Sequence, residues 1–172
     1  MIHENTAVAT IYGIDRMDNE PHTVLFYNMG GIDTEVSIVR YSSIIDPSTN
    51  KSHEHIEILA EAYEKNLGGY DLDIILTNML ADQFNALKER QGKPDVRENP
   101  KVLKRLLKEV SKIKDVLSAN KQMQVKISEL QDYVSLLTTI ERTDFESKAD
   151  SFFKRVLDPV NAVLDKAKLT LD

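Results

Sequence analysis

Two pairs of glycine residues stand where they could expose backbone amides to an anion. The first pair, Gly30 and Gly31, ends a β-branched and aromatic run that begins at Val24. Because glycine has no Cβ, backbone N–H groups at such a turn can approach a phosphate closely. The second pair, Gly68 and Gly69, comes before a predicted helix, whose N-terminus would add amide donors. The same pairs also suit a tight hairpin turn and a simple bend, so on spacing alone both interpretations stay open.

One face of a long predicted helix carries polar side chains that could bind a ribose and a base. Lys114 and Ser118 lie four residues apart, as do Ser111 and Asp115, so the members of each pair share a helix face. A solvated polar surface would have the same pattern. Spacing alone therefore indicates no more than a candidate binding face.

The composition excludes several kinds of site and partner. The 172 residues contain no cysteine, which excludes disulfides, thiolate metal sites and a cysteine nucleophile together. The four histidines lack metal-ligand spacing and no G-x-S-x-G motif is present, so no catalytic residue is predicted. The 22 Lys and Arg are interspersed with 28 Asp and Glu, for a net charge of −6, which argues against a nucleic-acid partner. No apolar run reaches the roughly 20 residues that span a bilayer, so no membrane partner is expected.

The start of the sequence carries no signal peptide, because Met1 is followed by a polar segment. This predicts either a cytoplasmic protein or a segment of a longer chain.

Hairpins and helices must position the candidate residues. Apolar spacing and β-branched runs predict a helix over 5–14 and strands over 24–27, 36–45 and 55–61. Periodicity predicts helices over 71–88 and from the Asn99-Pro100 start signal to about Ser118. The order indicates a mixed α/β fold whose strands form hairpins.

The last third of the chain continues the same alternation. Two strands are expected over 123–130 and 133–140. Thr143 and Glu146 predict a capping box at the start of another helix. Asp158-Pro159 predicts the start of a last helix that ends near Leu169.

In this order the motifs resemble the nucleotide-binding domain of the seventy-kilodalton heat-shock family over essentially the whole chain. Residues 3–13 (HENTAVATIYG) are similar to the family's N-E-P-T-A-A-A…Y-G segment, and 24–31 to its phosphate motif V-x-x-F-D-L-G-G-G-T. Residues 67–73 resemble L-G-G-E-D-F-D, the stretch around Leu117-Ser118 resembles the adenosine-contacting helix, and 145–169 resemble F…L-D-P-V…L-x-x-A-K-L. Several spaced motifs in the right order make this resemblance far more specific than any single motif.

Departures from the usual motifs indicate a subfamily. Asn5 stands where ordinary members have proline, and the segments 95–100 (DVRENP) and 116–120 (VLSAN) are distinctive. They resemble the large, divergent members, closest to the glucose-regulated, hypoxia-upregulated chaperones of the endoplasmic reticulum. The resemblance implies a place in the lumen of that compartment, with the cytoplasm as the alternative. It also implies two partners: a conventional heat-shock chaperone, for which such proteins act as nucleotide-exchange factors, and unfolded clients held by a C-terminal region absent here.

The fold that the resemblance implies is α/β (mixed), the second lobe of an actin-like ATPase fold, with antiparallel hairpins, a mixed sheet and packed helices. A sheet-containing base would comprise 1–70 and 143–172, and a smaller upper part 71–142. ATP or ADP with Mg²⁺ would bind in the intact domain. Because the other lobe supplies part of that site, this chain alone is expected to hold no cofactor.

Individual roles also follow from the resemblance. Gly30 and Gly31 would hold phosphate and Gly69 would lie near the ribose. Lys114 and Ser118 would contact adenosine, with Ser111 and Asp115 in place of the usual Glu and Arg, while Glu4 and Glu35 would hold magnesium through water.

Three changes in the phosphate motif oppose phosphoryl transfer. Asn28 replaces an Asp that helps to order magnesium and the attacking water, and a neutral amide cannot accept a proton. Ile32 and Asp33 replace a third glycine and a threonine, adding a β-branched side chain and a negative charge. The sequence thus predicts weak or lost hydrolysis. The alternatives are an active ATPase of the same fold, or a protein-interaction lobe without nucleotide.

Overall fold

The computed structural model describes residues 2–14 and 20–171, and Met1 therefore lies outside the described residues. The chain divides into two compact units. The first unit comprises Met1–Gly68 and Arg155–Asp172, and the second comprises Gly69–Lys154. The elements, in chain order, are α1 Glu4–Ile14, β1 His22–Met29, β2 Asp33–Ile45, β3 Ser52–Lys65, α2 Gly69–Asn85, α3 Pro100–Ala119, β4 Gln122–Gln131, β5 Val134–Glu141, α4 Arg142–Lys148, α5 Asp150–Arg155 and α6 Asp158–Ala167.

The first unit is built on an antiparallel sheet of order β1-β2-β3. The central strand β2 is buried on both faces over its middle residues, 36–39, and becomes exposed toward its C-terminal end. Alternate residues of β2 serve two small cores. Val36 and Ile38 pack with Val160 and Val163 of α6, and Val39 and Tyr41 pack with Ala9 of α1.

The second unit has one larger core, made by α2, α3 and the β4–β5 hairpin. Helix α3 begins as the sequence predicts, because Asn99 Oδ1 accepts a hydrogen bond from the Lys101 backbone N–H at 3.1 Å and Pro100 follows the cap. Its apolar stripe is buried, from Val102 to Leu117. The polar residues of α3 are thereby directed to the opposite face.

The units divide at 68/69 and 154/155, whereas the sequence placed the divisions at 70/71 and 142/143. The difference concerns mainly residues 143–154. The core of the second unit contains Phe145 of α4 and Ala149, the residue that follows this helix. The segment 143–154 therefore belongs to the second unit. The assignment of the units as base and upper part stays a prediction.

Two predicted helix starts differ from the structure. Helix α4 begins at Arg142 directly after β5, so Thr143 lies inside the helix and the capping box is wrong. Glu146 instead accepts a hydrogen bond from Arg142 Nε at 2.7 Å. Likewise α6 follows Leu157, and Asp158 is its first helical residue rather than its cap. At α4 the chain enters the helix directly from β5, and at α6 only a two-residue turn with the apolar Leu157 at the cap position precedes the helix, so neither start has a capping side-chain bond.

The mixed α/β class and the antiparallel hairpins are confirmed, but a mixed sheet is not found among the described residues, where both sheets are antiparallel. Within 2–14 and 20–171, no helix has the length and apolar composition that a membrane crossing needs.

Candidate functional site

The first glycine pair forms a tight turn between β1 and β2. The Gly30 backbone N–H donates to the Asp33 carbonyl oxygen at 2.8 Å. Neither Gly30 nor Gly31 has a left-handed φ, so the turn does not need glycine for its backbone conformation. Apart from Gly31 and its chain neighbours Gly30 and Ile32, no residue has a heavy atom within 4 Å of the position that a Cβ on Gly31 would occupy. This side of the turn is therefore open, and an anion can approach the backbone there.

Gly68, which the sequence marks only as half of the second glycine pair, supports the other side of the turn. A Cβ on Gly68 would lie 2.6 Å from the carbonyl carbon and oxygen of Gly31 and from the nitrogen of Ile32. The Gly31–Ile32 peptide thus packs directly on the Gly68 backbone. The buried Thr34 hydroxyl, which donates to the Leu67 carbonyl, fixes the neighbouring chain. The only sequence signal for this contact was the doubled glycine.

Asn28 and Glu4 meet beside this turn, although they come from β1 and α1. The Asn28 amide Nδ2 donates to Glu4 Oε2 at 3.0 Å. Glu35 is the cross-strand partner of Asn28 on β2. Among the described residues, no group of three or more His, Asp or Glu side chains is arranged to hold a metal ion. The donor set therefore does not fit a directly bound divalent cation, and magnesium held through water by Glu4 and Glu35 stays a prediction.

Asp33 and Ile32, the two substitutions in the turn, have different surroundings. Ile32 is 69% exposed. Asp33 Oδ2 accepts a hydrogen bond from the Tyr63 hydroxyl at 2.6 Å. That bond, together with partial burial and the negative charges of Asp33 and Glu35, raises the pKa of Tyr63 above its ordinary value. Tyr63 was missed because no motif marks it, and only the strand register brings it to Asp33.

In the second unit, the structure brings Lys114 to Gly69. Lys114 Nζ lies 2.7 Å from Asp73 Oδ1 and 3.2 Å from the Gly69 carbonyl oxygen. Asp73 was not singled out from the sequence, although it belongs to the same 67–73 motif. The lysine ammonium is therefore held in place by a half-buried carboxylate near the start of α2.

The predicted adenosine face of α3 is solvent-accessible. Ser111, Asp115 and Ser118 are all exposed. Ser118 Oγ donates to the Asp115 carbonyl oxygen of its own helix at 2.6 Å. The hydroxyl oxygen can still accept a hydrogen bond from another group. Gly30 and Gly31, which are predicted to hold phosphate, belong to the first unit, and Gly69, Ser111, Lys114, Asp115 and Ser118 belong to the second.

Comparison with known proteins gives one consistent result. The family model described as "Hsp70 protein" matches residues 1–172. The protein named Hypoxia up-regulated protein 1 is 33% identical over 175 residues in Rattus norvegicus and in Homo sapiens, covering 100% of this chain and 17% of the relative. The Xenopus tropicalis relative of the same name is 31% identical over 100% of this chain and 27% of its own length. The chain therefore spans between about a sixth and a quarter of these relatives.

Proposed function

The chain belongs to the Hsp70 family over residues 1–172, and on this premise we propose that it is the second lobe of the nucleotide-binding domain of a large Hsp70-type chaperone. In this proposal the lobe contributes to ATP binding and supports weak or no hydrolysis. One observation carries the second part: the Asn28 amide is hydrogen-bonded to the Glu4 carboxylate.

The Asn28–Glu4 contact leaves the phosphate turn poor in the charges that phosphoryl transfer needs. The Asn28 amide donates to one Glu4 oxygen. An Asp at residue 28 would instead place a second carboxylate there, which could bind a cation or accept a proton. The amide of Asn28 can orient a water but cannot accept its proton. Bound nucleotide and magnesium would supply the phosphoryl group and its neutralising charge. This chain contributes positioning groups and lacks a base at residue 28.

The open side of Gly31 supports binding of phosphate at the turn. A side chain at this residue would enter space that residues beyond its chain neighbours leave empty, and glycine keeps that space free. The Gly68 contact behind the turn holds the peptide rigid, which reduces the entropy lost on binding. A single turn offers few donors. We therefore expect this chain alone to bind phosphates weakly, with a dissociation constant of roughly millimolar order, about 4 kcal/mol.

The exposed face of α3 supports adenosine binding in the second unit. The Lys114 ammonium is held by Asp73, and the Ser118 hydroxyl is accessible on the same helix. Ser111 and Asp115 contribute a neutral hydroxyl and a carboxylate to this face. We expect them to alter the preference for the base and ribose rather than to abolish contact.

The cellular role follows from the subfamily resemblance of segments 95–100 and 116–120. We propose that the whole protein holds unfolded clients and promotes nucleotide exchange on a conventional heat-shock chaperone in the endoplasmic reticulum. Net charge and mixed charge patterning support proteins, rather than nucleic acid, as partners.

The test is calorimetric titration of MgATP and MgADP into the intact nucleotide-binding domain that contains this chain. ATP turnover is measured in parallel. We expect binding without appreciable turnover, and a gain of turnover in Asn28→Asp. Asn161→Asp is the matched control, because it adds the same charge at an exposed position of α6. Family-typical turnover by the unaltered protein would contradict the proposal.

A second candidate function is a protein-binding lobe that needs no nucleotide. Tyr133 is 92% exposed and Leu137 is 62% exposed on the β4–β5 hairpin, and this candidate requires that such side chains join into one apolar patch there. Failure of the intact nucleotide-binding domain to bind either nucleotide would favour this candidate. An active ATPase of the same fold is disfavoured by Asn28 and by Asp33.

A further inference from the structure

The carboxylate of Asp33 lies beside the turn that the proposed function assigns to phosphate. Asp33 Oδ1 is 3.6 Å from the position that a Cβ on Gly30 would take. Asp33 is half-buried at the start of β2, and its own carbonyl oxygen closes the turn by accepting from Gly30. A negative charge in this place repels a phosphate, and the repulsion depends on which way the carboxylate points.

The Tyr63 hydroxyl decides that orientation. It donates to Asp33 Oδ2 at 2.6 Å, from the neighbouring strand β3. Tyr63 is opposite Glu35 in the strand register, so it reaches Asp33 along the diagonal of the sheet. Lys65 is the direct cross-strand partner of Asp33, yet the described residues show no ion pair between them. A neutral hydroxyl, rather than a cation, is therefore the group that holds the carboxylate.

We propose that Tyr63 is a positioning residue, which fixes the Asp33 carboxylate to one side of the Gly30–Gly31 turn and so sets the affinity of the turn for the phosphate groups of a nucleotide. This inference rests on the proposed function. The Tyr63 hydroxyl donates a hydrogen bond to the Asp33 carboxylate, which spreads the negative charge of that group. The same bond restrains the Asp33 side chain, so that the carboxylate does not rotate toward the open side of Gly31.

The experiment is an NMR titration of the chain with inorganic pyrophosphate, which probes the turn without the adenosine side, followed through the amide signals of Gly31 and Ile32. Tyr63→Phe removes only the hydroxyl, and we expect pyrophosphate to bind about three- to tenfold more weakly, the effect of one charge freed a few ångströms away. Asp33→Asn is expected to bind more tightly. The double variant should match Asp33→Asn, because Tyr63 acts through Asp33.

Two further measurements separate positioning from a general structural effect. Tyr27→Phe is the matched control, since it also deletes a tyrosine hydrogen bond in the first unit, to the Val156 carbonyl at 2.9 Å, and should leave pyrophosphate binding unchanged. In Asp33→Asn the pKa of Tyr63 should fall toward its ordinary value of 10.0, because the carboxylate that raises it is gone.

The possible failures are distinguishable. Absence of pyrophosphate and ADP binding by the unaltered chain, at ligand concentrations well above the millimolar dissociation constant expected for it, would overturn the phosphate role of the turn and this inference with it. Binding by the unaltered chain that Tyr63→Phe does not weaken would overturn this inference alone. This inference alone would also be overturned if Tyr63→Phe weakens pyrophosphate binding in the Asp33→Asn variant as much as it does in the unaltered chain.

Discussion

Gly68 is the residue at which the shape of the candidate site depends most directly on a missing side chain. The atoms that a Cβ would meet at 2.6 Å are backbone atoms of Gly31 and Ile32, which cannot rotate away as a side chain would. The turn must therefore move if residue 68 gains a methyl group. Gly31, which Gly68 contacts, has open space at the position of its own Cβ.

The expected result for Gly68→Ala is a loss of about 1–3 kcal/mol in the free energy of unfolding of the first unit, the usual cost of overpacking. Gly31→Ala, with neither a contact nor a left-handed φ to oppose it, should change stability by about 1 kcal/mol or less. Urea unfolding monitored by NMR signals of β1 and β2 would measure both. Equal losses in the two variants would contradict the packing argument.

At the scale of elements, two Asx-Pro sequences that look alike give different helix starts. Asn99 caps α3 through its side chain, whereas Asp158 is already inside α6 because Leu157 takes the cap position without a side-chain bond. Asn99→Ala should therefore cost about 1 kcal/mol. Asp158→Ala should cost only a few tenths of a kcal/mol, through the helix dipole. Denaturant midpoints of the two variants test the difference, and a larger loss for Asp158→Ala would be evidence against this assignment.

The segment before α3 should make stability depend on pH. Asp95 caps the short turn Val96–Glu98, and its carboxylate accepts hydrogen bonds from the Arg97 side chain and backbone, which hold the pKa of Asp95 well below its ordinary 3.8. Since the folded pKa is lowered, this stabilisation is complete above pH 3.8 and is lost as the pH falls toward the folded value.

The free energy of unfolding of the unaltered chain should therefore exceed that of Asp95→Asn by a constant amount near neutral pH, and the difference should shrink once the pH falls below about 4. Urea unfolding of the second unit at a series of pH values measures it. A difference that stays the same down to pH 2 would mean that the Asp95 charge makes no contribution.

The sequence predicted those elements whose signals are local. The α3 start, its buried stripe and the hairpins follow from caps, periodicity and turns that span a few residues. The α4 start was mispredicted because β5 continues directly into the helix, which removes the loop that a capping box needs. The Tyr63–Asp33 and Asn28–Glu4 contacts join residues 30 and 24 positions apart, so they depend on strand register and helix placement rather than on a motif.

At the scale of the whole molecule, charge is divided unevenly between the two units. By sequence, residues 1–68 and 155–172 carry 14 Asp and Glu against 7 Lys and Arg, a net charge of −7, while residues 69–154 carry 14 against 15, a net charge of +1. The Gly30–Gly31 turn, which we propose binds phosphate, belongs to the strongly negative unit. Its few amide donors must therefore bind an anion against the field of that unit.

This field should reverse the usual effect of salt on anion binding. Around 10 mM salt the Debye length is about 30 Å, so most of the first unit's charge acts on an approaching pyrophosphate, whereas near 150 mM it is about 8 Å and only nearby charges do. We expect pyrophosphate affinity to rise severalfold over this range, measured by the Gly31 and Ile32 amide shifts in potassium gluconate, whose bulky anion competes poorly for the turn. Affinity that falls with salt would mean that the turn's own amide dipoles and nearby cations outweigh the net charge of the unit.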